Sequence, residues 1–237
     1  MAYLLIAAAG SGKRMGGDRN KLLLELLGKP VLYWTLASAV LAKGIEWIGI
    51  IAQPHDMPDF AEIMEQIIAE SGTEKPMTLI EGGATRQESV FNGLQSLPPM
   101  AERVLIHDGA RCLATPSLFY RCAESLEFFN AFITAVPVKD TIKVVEESVV
   151  LETPPRESLW SAQTPQGFQV EVLLSAHKQA IQQGWAVTDD ASLLEKTNHP
   201  VQVVLGEESN IKITTPMDLV IAELILKQRM QKAGVEC

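Results

Sequence analysis

The chain has 237 residues, of which 47% are hydrophobic and 21% charged, with a formal net charge of −9. That length suits one α/β domain, 1–237, with a substantial core, and no apolar run approaches the roughly 18 residues that a membrane span needs. The acidic balance argues against non-specific nucleic-acid binding, so a bound anion must meet local cations. In chain order, the uninterrupted apolar run 3–9 reads as a central parallel strand covered on both faces. Helix 31–43, strand 47–53, helix 58–70, strand 77–80, helix 85–96, strand 103–107, helix 116–128 and strand 132–137 follow. This alternation predicts a mostly parallel sheet with helices on both faces and ligands beyond the carboxyl ends of its strands. The β-prone runs 141–145 and 149–151 flank the turn Glu146-Glu147-Ser148 and predict a hairpin, and Pro154-Pro155 steers it away from the sheet as an arm over about 137–157. Helix 170–183, a short helix beginning near Asp190, strands 201–205 and 210–213 and helix 216–232 complete the chain.

The segment after the first strand, Ala7-Ala-Ala-Gly-Ser-Gly-Lys-Arg-Met15 followed by Lys21 and Gly28-Lys-Pro30, reads as a phosphate-holding turn. A Walker loop is excluded because Gly12-Lys13 is followed by Arg14 and no glycine stands five residues before Gly12. A dinucleotide fingerprint is excluded because Met15 occupies its third glycine position. What remains is the pattern that opens nucleoside-triphosphate sugar-phosphate transferases. Gly82-Gly83-Ala84-Thr85-Arg86 follows the third strand and Asp108-Gly-Ala-Arg111 the fourth, so both can converge with Arg14 and Lys21 at one sheet edge. By spacing alone Asp108 reads equally well as a turn or helix cap. Cys112, Cys122 and Cys237 lack metal-ligand spacing and predict free thiols in a reducing cytosol. The four histidines show no zinc pairing, although His107 lies beside Asp108. The chain enters its first strand within three residues, which predicts no secretion leader.

Over nearly its whole length the sequence resembles the 2-C-methyl-D-erythritol 4-phosphate cytidylyltransferases of the non-mevalonate isoprenoid pathway. The resemblance rests on ordered motifs: the opening turn with Lys21, Gly82-Gly83-x-x-Arg86-x-x-Ser89-Val90, Ile106-His-Asp-Gly-Ala-Arg111, Pro137-Val-Lys-Asp-Thr141, Leu159-Trp-Ser-Ala-Gln-Thr-Pro-Gln166, Thr188-Asp189 and Asn210-Ile-Lys-Ile-Thr214. It implies a Rossmann-like nucleotidyltransferase fold, α/β with a mostly parallel central sheet and a protruding β-hairpin arm. It also implies transfer of a cytidylyl group from CTP to 2-C-methyl-D-erythritol 4-phosphate, with pyrophosphate released and Mg2+ or another divalent cation required. The family dimerises through the arm, so a cytoplasmic homodimer is expected, or one in the plastid stroma after loss of a transit peptide. A ribitol-5-phosphate cytidylyltransferase is the nearest alternative, disfavoured by Ala8-Ala9-Gly10 and the 160–166 segment. A non-catalytic nucleotide-binding protein is disfavoured by intact Arg14, Lys21 and Asp108.

Position by position, the resemblance places Ala7, Ala8, Ala9, Gly10, Gly12, Arg14 and Lys21 around CTP, with Arg14 and Lys21 on its phosphates. Gly83, Ala84 and Ser89 match positions around cytosine and ribose; Asp108, Gly109 and Lys212 complete the nucleotide site. For the polyol phosphate the matching residues are Asp108, Asp140, Thr141, Arg156, Thr164, Thr188 and Lys212, with Thr141 and Thr164 as hydroxyl donors. The catalytic set is Arg14, Lys21, Arg156 and Lys212, and Asp108 is the candidate metal residue. Asp189 and Asp190 read instead as helix caps. Two departures stand out. Gly109 and Cys112 occupy positions commonly Ala and Pro, which predicts a looser backbone there, and Ala84 replaces a residue often acidic.

Overall fold

Buried strands alternate with helices along the chain, and the order in which the strands pair decides which loops meet. The computed structural model describes residues 1–10 and 20–234. β1 (Ala2–Ala7) is buried along almost all its length, as an all-apolar strand with neighbours on both sides requires. A short ribbon of β2 (Glu25–Leu26) and β3 (Lys29–Pro30) leads into α1 (Val31–Leu41). There follow β4 (Ile45–Ala52), α2 (Met57–Ser71), β5 (Met77–Glu81), α3 (Arg86–Gln95), β6 (Arg103–Asp108), α4 (Pro116–Ser125) and β7 (Ala131–Pro137). The helix starts carry their own signals. Thr85 and Glu88 form a capping box on α3, and Thr115 caps α4 just before Pro116. The chain continues through β8 (Val144–Glu146), β9 (Val149–Glu152), β10 (Trp160–Gln169), α5 (Val170–Gln183), α6 (Ala191–Lys196), β11 (Gln202–Leu205) and α7 (Pro216–Ala233).

Seven strands form one sheet in the order β11-β7-β10-β6-β1-β4-β5, and its pairings are parallel except the two made by β10. The mostly parallel α/β sheet with a hairpin arm agrees with the expected fold. Alternate side chains feed two apolar layers. Leu4, Ile6, Ile48 and Ile50 pack with α1, α2 and α4, whereas Leu5, Ile51, Val104, Ile106 and Phe168 pack with α3 and α5. Among the described residues, no helix is long and apolar enough to cross a membrane.

Three expectations about elements need correction. The segment 160–169, read only as a motif, is a ten-residue strand. Its Ser, Gln, Thr and Gly content hides it, and Pro165 sits where the ladder to β7 shifts register between Gln163 and Gln166, so the missing N–H breaks no regular ladder. Gly167 is demanded by packing, since a Cβ there would lie 2.2 Å from Phe132 Cε1. The segment 210–213, expected as a strand, is irregular backbone. Asn210 and Ile213 are fully buried plugs, and its peptide groups serve loops: Ile213 N–H donates to Ala110 O at 2.8 Å. Finally, the first arm strand is 144–146, and the turn is two residues long. Glu147 and Ser148 both have positive φ, 48° and 68°, which suits the twist of a two-residue hairpin turn. β8 and β9 pair only with each other, and Val144, Val145, Val149, Val150 and Leu151 stay exposed.

Candidate active site

Parallel strands end together, so the residues just beyond β1, β4, β5 and β6 gather at one edge. Ala7 stands beside Ile51 on one side and Asp108 on the other, and Ala52 pairs with Glu81. A cavity of about 520 Å³ opens there, lined by Ala7, Ala8, Ala9, Gly10, Lys21, Leu22, Gln53, His55, Gly83, Ala84, Thr85, Arg86, Ser89, Asp108, Ala110 and Lys212. The turns that wall it are tied down. Asn20, itself buried, donates to Ala8 O at 3.1 Å and to Asp56 at 2.7 Å, and accepts from Leu22 N–H. Ser89 Oγ accepts from Gly83 N–H at 3.0 Å and donates to Thr85 O at 2.8 Å, which fixes the bend ahead of α3.

Asp108 is the electrostatic centre. Lys212 Nζ lies 2.7 Å from one carboxylate oxygen, Arg111 Nε 3.9 Å from the same oxygen, and Arg86 Nε 3.7 Å from the other. Burial, the largest single influence, raises the Asp108 pKa. Lys212, Arg86 and Arg111 together outweigh it and hold the group well below the usual carboxylate range. The side chain is therefore an anion throughout neutral pH. Its surplus of cations makes this corner of an acidic protein able to receive phosphate. Arg86 also reaches back to Asp190 at 2.8 Å, and Lys21 Nζ donates to Ile213 O at 2.8 Å, tying the first turn to the 210–214 segment.

Beneath Asp108 the hydrogens can be assigned. His107 is fully buried, and burial pushes its pKa down to about 4, so the ring is neutral near pH 7. Its Nε2 faces Arg111 O at 3.2 Å and must carry the hydrogen; Nδ1 then accepts from the Thr164 hydroxyl at 3.1 Å. Thr164 Oγ1 in turn accepts from Asp108 N–H at 3.0 Å. In this arrangement Thr164 points its hydroxyl hydrogen at His107, and it fixes the backbone that carries Asp108.

Of the residues picked from sequence, Ala7, Ala8, Ala9, Gly10, Lys21, Gly83, Ala84, Ser89, Asp108 and Lys212 line this cavity. Gly12 and Arg14 lie outside the described residues. Gly109 sits behind the wall, and the expectation of a looser backbone there is wrong. Its N–H donates to Ala7 O at 3.0 Å, its carbonyl accepts from Thr35 at 2.8 Å, and a Cβ would fall 2.9 Å from Leu22 Cδ1. Asp140, Thr141 and Arg156 are exposed on the arm, away from the cavity lining; Arg156 donates to Lys139 O at 3.0 Å. Thr188 is exposed in the loop before α6. Asp189 caps as expected, accepting from Ser192 N–H at 3.1 Å. Asp190 does not: it is buried, paired with Arg86 and 3.5 Å from His177 Nε2. Burial raises its pKa, and Arg86 and His177 more than compensate to lower it. Cys112 and Cys122 are buried free thiols, and burial pushes Cys112 up to about 12; Cys237 lies outside the described residues. Sequence reasoning missed Gln53 and His55 as lining residues, and left Arg86 out of the site although it quoted the motif that contains it.

With this geometry in hand, comparison with known proteins is specific. The family model described as 2-C-methyl-D-erythritol 4-phosphate cytidylyltransferase matches residues 2–228. A protein of that name from Acaryochloris marina is 59% identical over 231 residues, 97% of this chain and 96% of its own length. Another from Synechocystis sp. is 57% identical over 233 residues, 98% of this chain and 100% of its own. Among solved structures, 4-diphosphocytidyl-2C-methyl-D-erythritol synthase from Anaerococcus prevotii superposes with a TM-score of 0.84 at 33% identity, covering 96% of this chain and 98% of that one. The 2-C-methyl-D-erythritol 4-phosphate cytidylyltransferase from Thermus thermophilus gives 0.76 at 32%, covering 95% and 98%.

Proposed function

The chain belongs to the 2-C-methyl-D-erythritol 4-phosphate cytidylyltransferase family, and from that premise we propose that it transfers a cytidylyl group from CTP to 2-C-methyl-D-erythritol 4-phosphate. The observation that carries this reading is the convergence of residues 7–10, Lys21, Gly83, Ser89, Asp108 and Lys212 on one cavity at the carboxyl edge of the sheet. An oxygen of the acceptor phosphate attacks the α-phosphorus of CTP; the new P–O bond forms as the bond to the β-phosphate oxygen breaks, and pyrophosphate departs. Negative charge grows on the equatorial and leaving oxygens, where Lys21 and Lys212 lower the barrier as fixed cations, and the family resemblance adds Arg14 to them. The acceptor phosphate is already ionised near neutral pH and needs no strong base.

A divalent cation, Mg2+ by expectation, fits the donor set. Asp108 is the one carboxylate among the described lining residues, and magnesium is commonly held by one or two carboxylates plus substrate phosphates. When bound, it would neutralise triphosphate charge. Arg156 and Thr141 lie on an arm whose apolar side chains are exposed, so the reading makes them contributions to the neighbouring subunit's acceptor site in a homodimer. The whole chain, 1–237, acts as one unit, and two buried free thiols suit the cytoplasm. The test is pyrophosphate release from CTP with each polyol phosphate offered separately. Release is expected with 2-C-methyl-D-erythritol 4-phosphate and a divalent cation. Faster release with ribitol 5-phosphate, or an undiminished rate in excess chelator, would overturn the acceptor or the metal assignment.

A further inference from the structure

We propose that Gln53 is a positioning residue that determines base specificity, acting through two turns that it joins. The proposal rests on reading the cavity as a nucleoside triphosphate site. β4 lies between β1 and β5 in the sheet, so the turns that follow β1 and β5 have no shared ladder to set their spacing. Gln53, the first residue after β4, stands between them. Its Nε2 donates to Ala9 O at 3.3 Å and to Gly83 O at 3.0 Å, one amide group holding a carbonyl from each turn. All three residues line the cavity. The turns are packed against each other here: Gly82 N–H donates to Ala52 O at 2.8 Å, and a Cβ on Gly82 would fall 2.7 Å from Ala9 Cβ.

A carbonyl oxygen has two lone pairs, and the Gln53 amide engages one on each. The two carbonyls thereby form an acceptor edge of fixed width at the cavity wall. A pyrimidine carrying an exocyclic amino group can donate to such an edge. A keto oxygen in the same place meets oxygen lone pairs and leaves them unpaired, the kind of mismatch that gives strong discrimination. Ala84, beside Gly83, offers no polar side chain for this task, so base selection here falls to the backbone and therefore to whatever fixes it.

The test compares Gln53→Met, which keeps length without a donor, with Gln53→Glu, which puts an acceptor against the two carbonyls. For each, kcat and KM are measured with CTP and with UTP at saturating acceptor, and thermal unfolding establishes that the variant folds. The CTP-to-UTP ratio of kcat/KM is expected to fall about tenfold in Gln53→Met and at least as far in Gln53→Glu, mainly through a higher KM for CTP. A ratio equal to wild type in folded Gln53→Met overturns the proposal. So does an equal loss with both nucleotides, which would make Gln53 merely structural. Wild-type protein that turns over neither nucleotide would instead bring down the reading on which the proposal stands.

Discussion

Arg86→Ala should be the most informative substitution in the charge network at the cavity, because it strips a buried anion of its principal cation. Asp190 is about 1% exposed in its side chain and Arg86 30%, with 2.8 Å between them. At a charge separation of about 4 Å and an effective dielectric near 20, their attraction is about 4 kcal/mol, and removing one partner of a buried pair commonly costs about 3–5 kcal/mol. Water reaches part of the guanidinium, which discounts the figure to about 2–3 kcal/mol, or a fall in Tm of about 5–10 °C for a chain of this size. The pH dependence identifies the cause. In the wild type the Asp190 pKa is lowered, so its contribution is present above the unfolded value near 4 and is lost as pH falls through the lower folded value. Without Arg86, burial is left to push the Asp190 pKa up, and the folded variant holds a proton on Asp190 that the unfolded chain releases. Its stability then falls with rising pH, and the deficit against wild type should shrink between pH 8 and pH 5. Urea unfolding at both pH values measures this, with Arg86→Ala/Asp190→Asn expected to recover about half the loss. A deficit below about 1 kcal/mol, or one equal at the two pH values, would refute the argument.

Two other predictions address the site and the arm. Lys21→Ala should lower turnover by about 10²-fold while the fold survives, since Lys21 lines the cavity; steady-state kinetics with unchanged unfolding checks this, and full turnover would remove Lys21 from the catalytic set. An Arg156→Ala subunit re-associated with a Lys21→Ala subunit should regain activity, because one of the two sites in the mixed dimer then holds neither lesion; no recovery in a verified mixed dimer, or a fully active monomer, would rule out a shared site.

The legibility of the fold followed the chemistry of each segment. β1 is a continuous apolar run, and β4 and β6 hold shorter ones at 47–52 and 104–106, because helices cover both faces; the helices announce themselves through Thr85, Thr115-Pro116 and Thr215-Pro216. β10 was hidden by the opposite circumstance. It runs antiparallel between two other strands and is exposed at its start, over residues 160–162, and its Gly167 answers to Phe132, a residue 35 positions away. The 210–213 run misled for a related reason: Ile211 and Ile213 have strand-like spacing, yet their burial comes from plugging loops onto the sheet edge, where no ladder exists.

The site divides along the same line. Residues picked from local motifs, such as Lys21, Gly83, Ser89, Asp108 and Lys212, line the cavity together because short loops after parallel strands must deliver their side chains to one edge. Gln53 and Asp190 carry no such local mark. Next to a helix start, Asp189 and Asp190 are equivalent in sequence, and only the packing of α6 against α5 decides that one caps Ser192 while the other is buried between Arg86 and His177. Gln53 follows a strand just as Asp108 does, but its importance depends on β4 being the strand that separates β1 from β5, a fact of sheet order rather than of neighbouring residues. Motif residues line the cavity, whereas the residues that hold the motifs at their spacing answer to topology. The second group is therefore where substitutions that alter selectivity are to be sought.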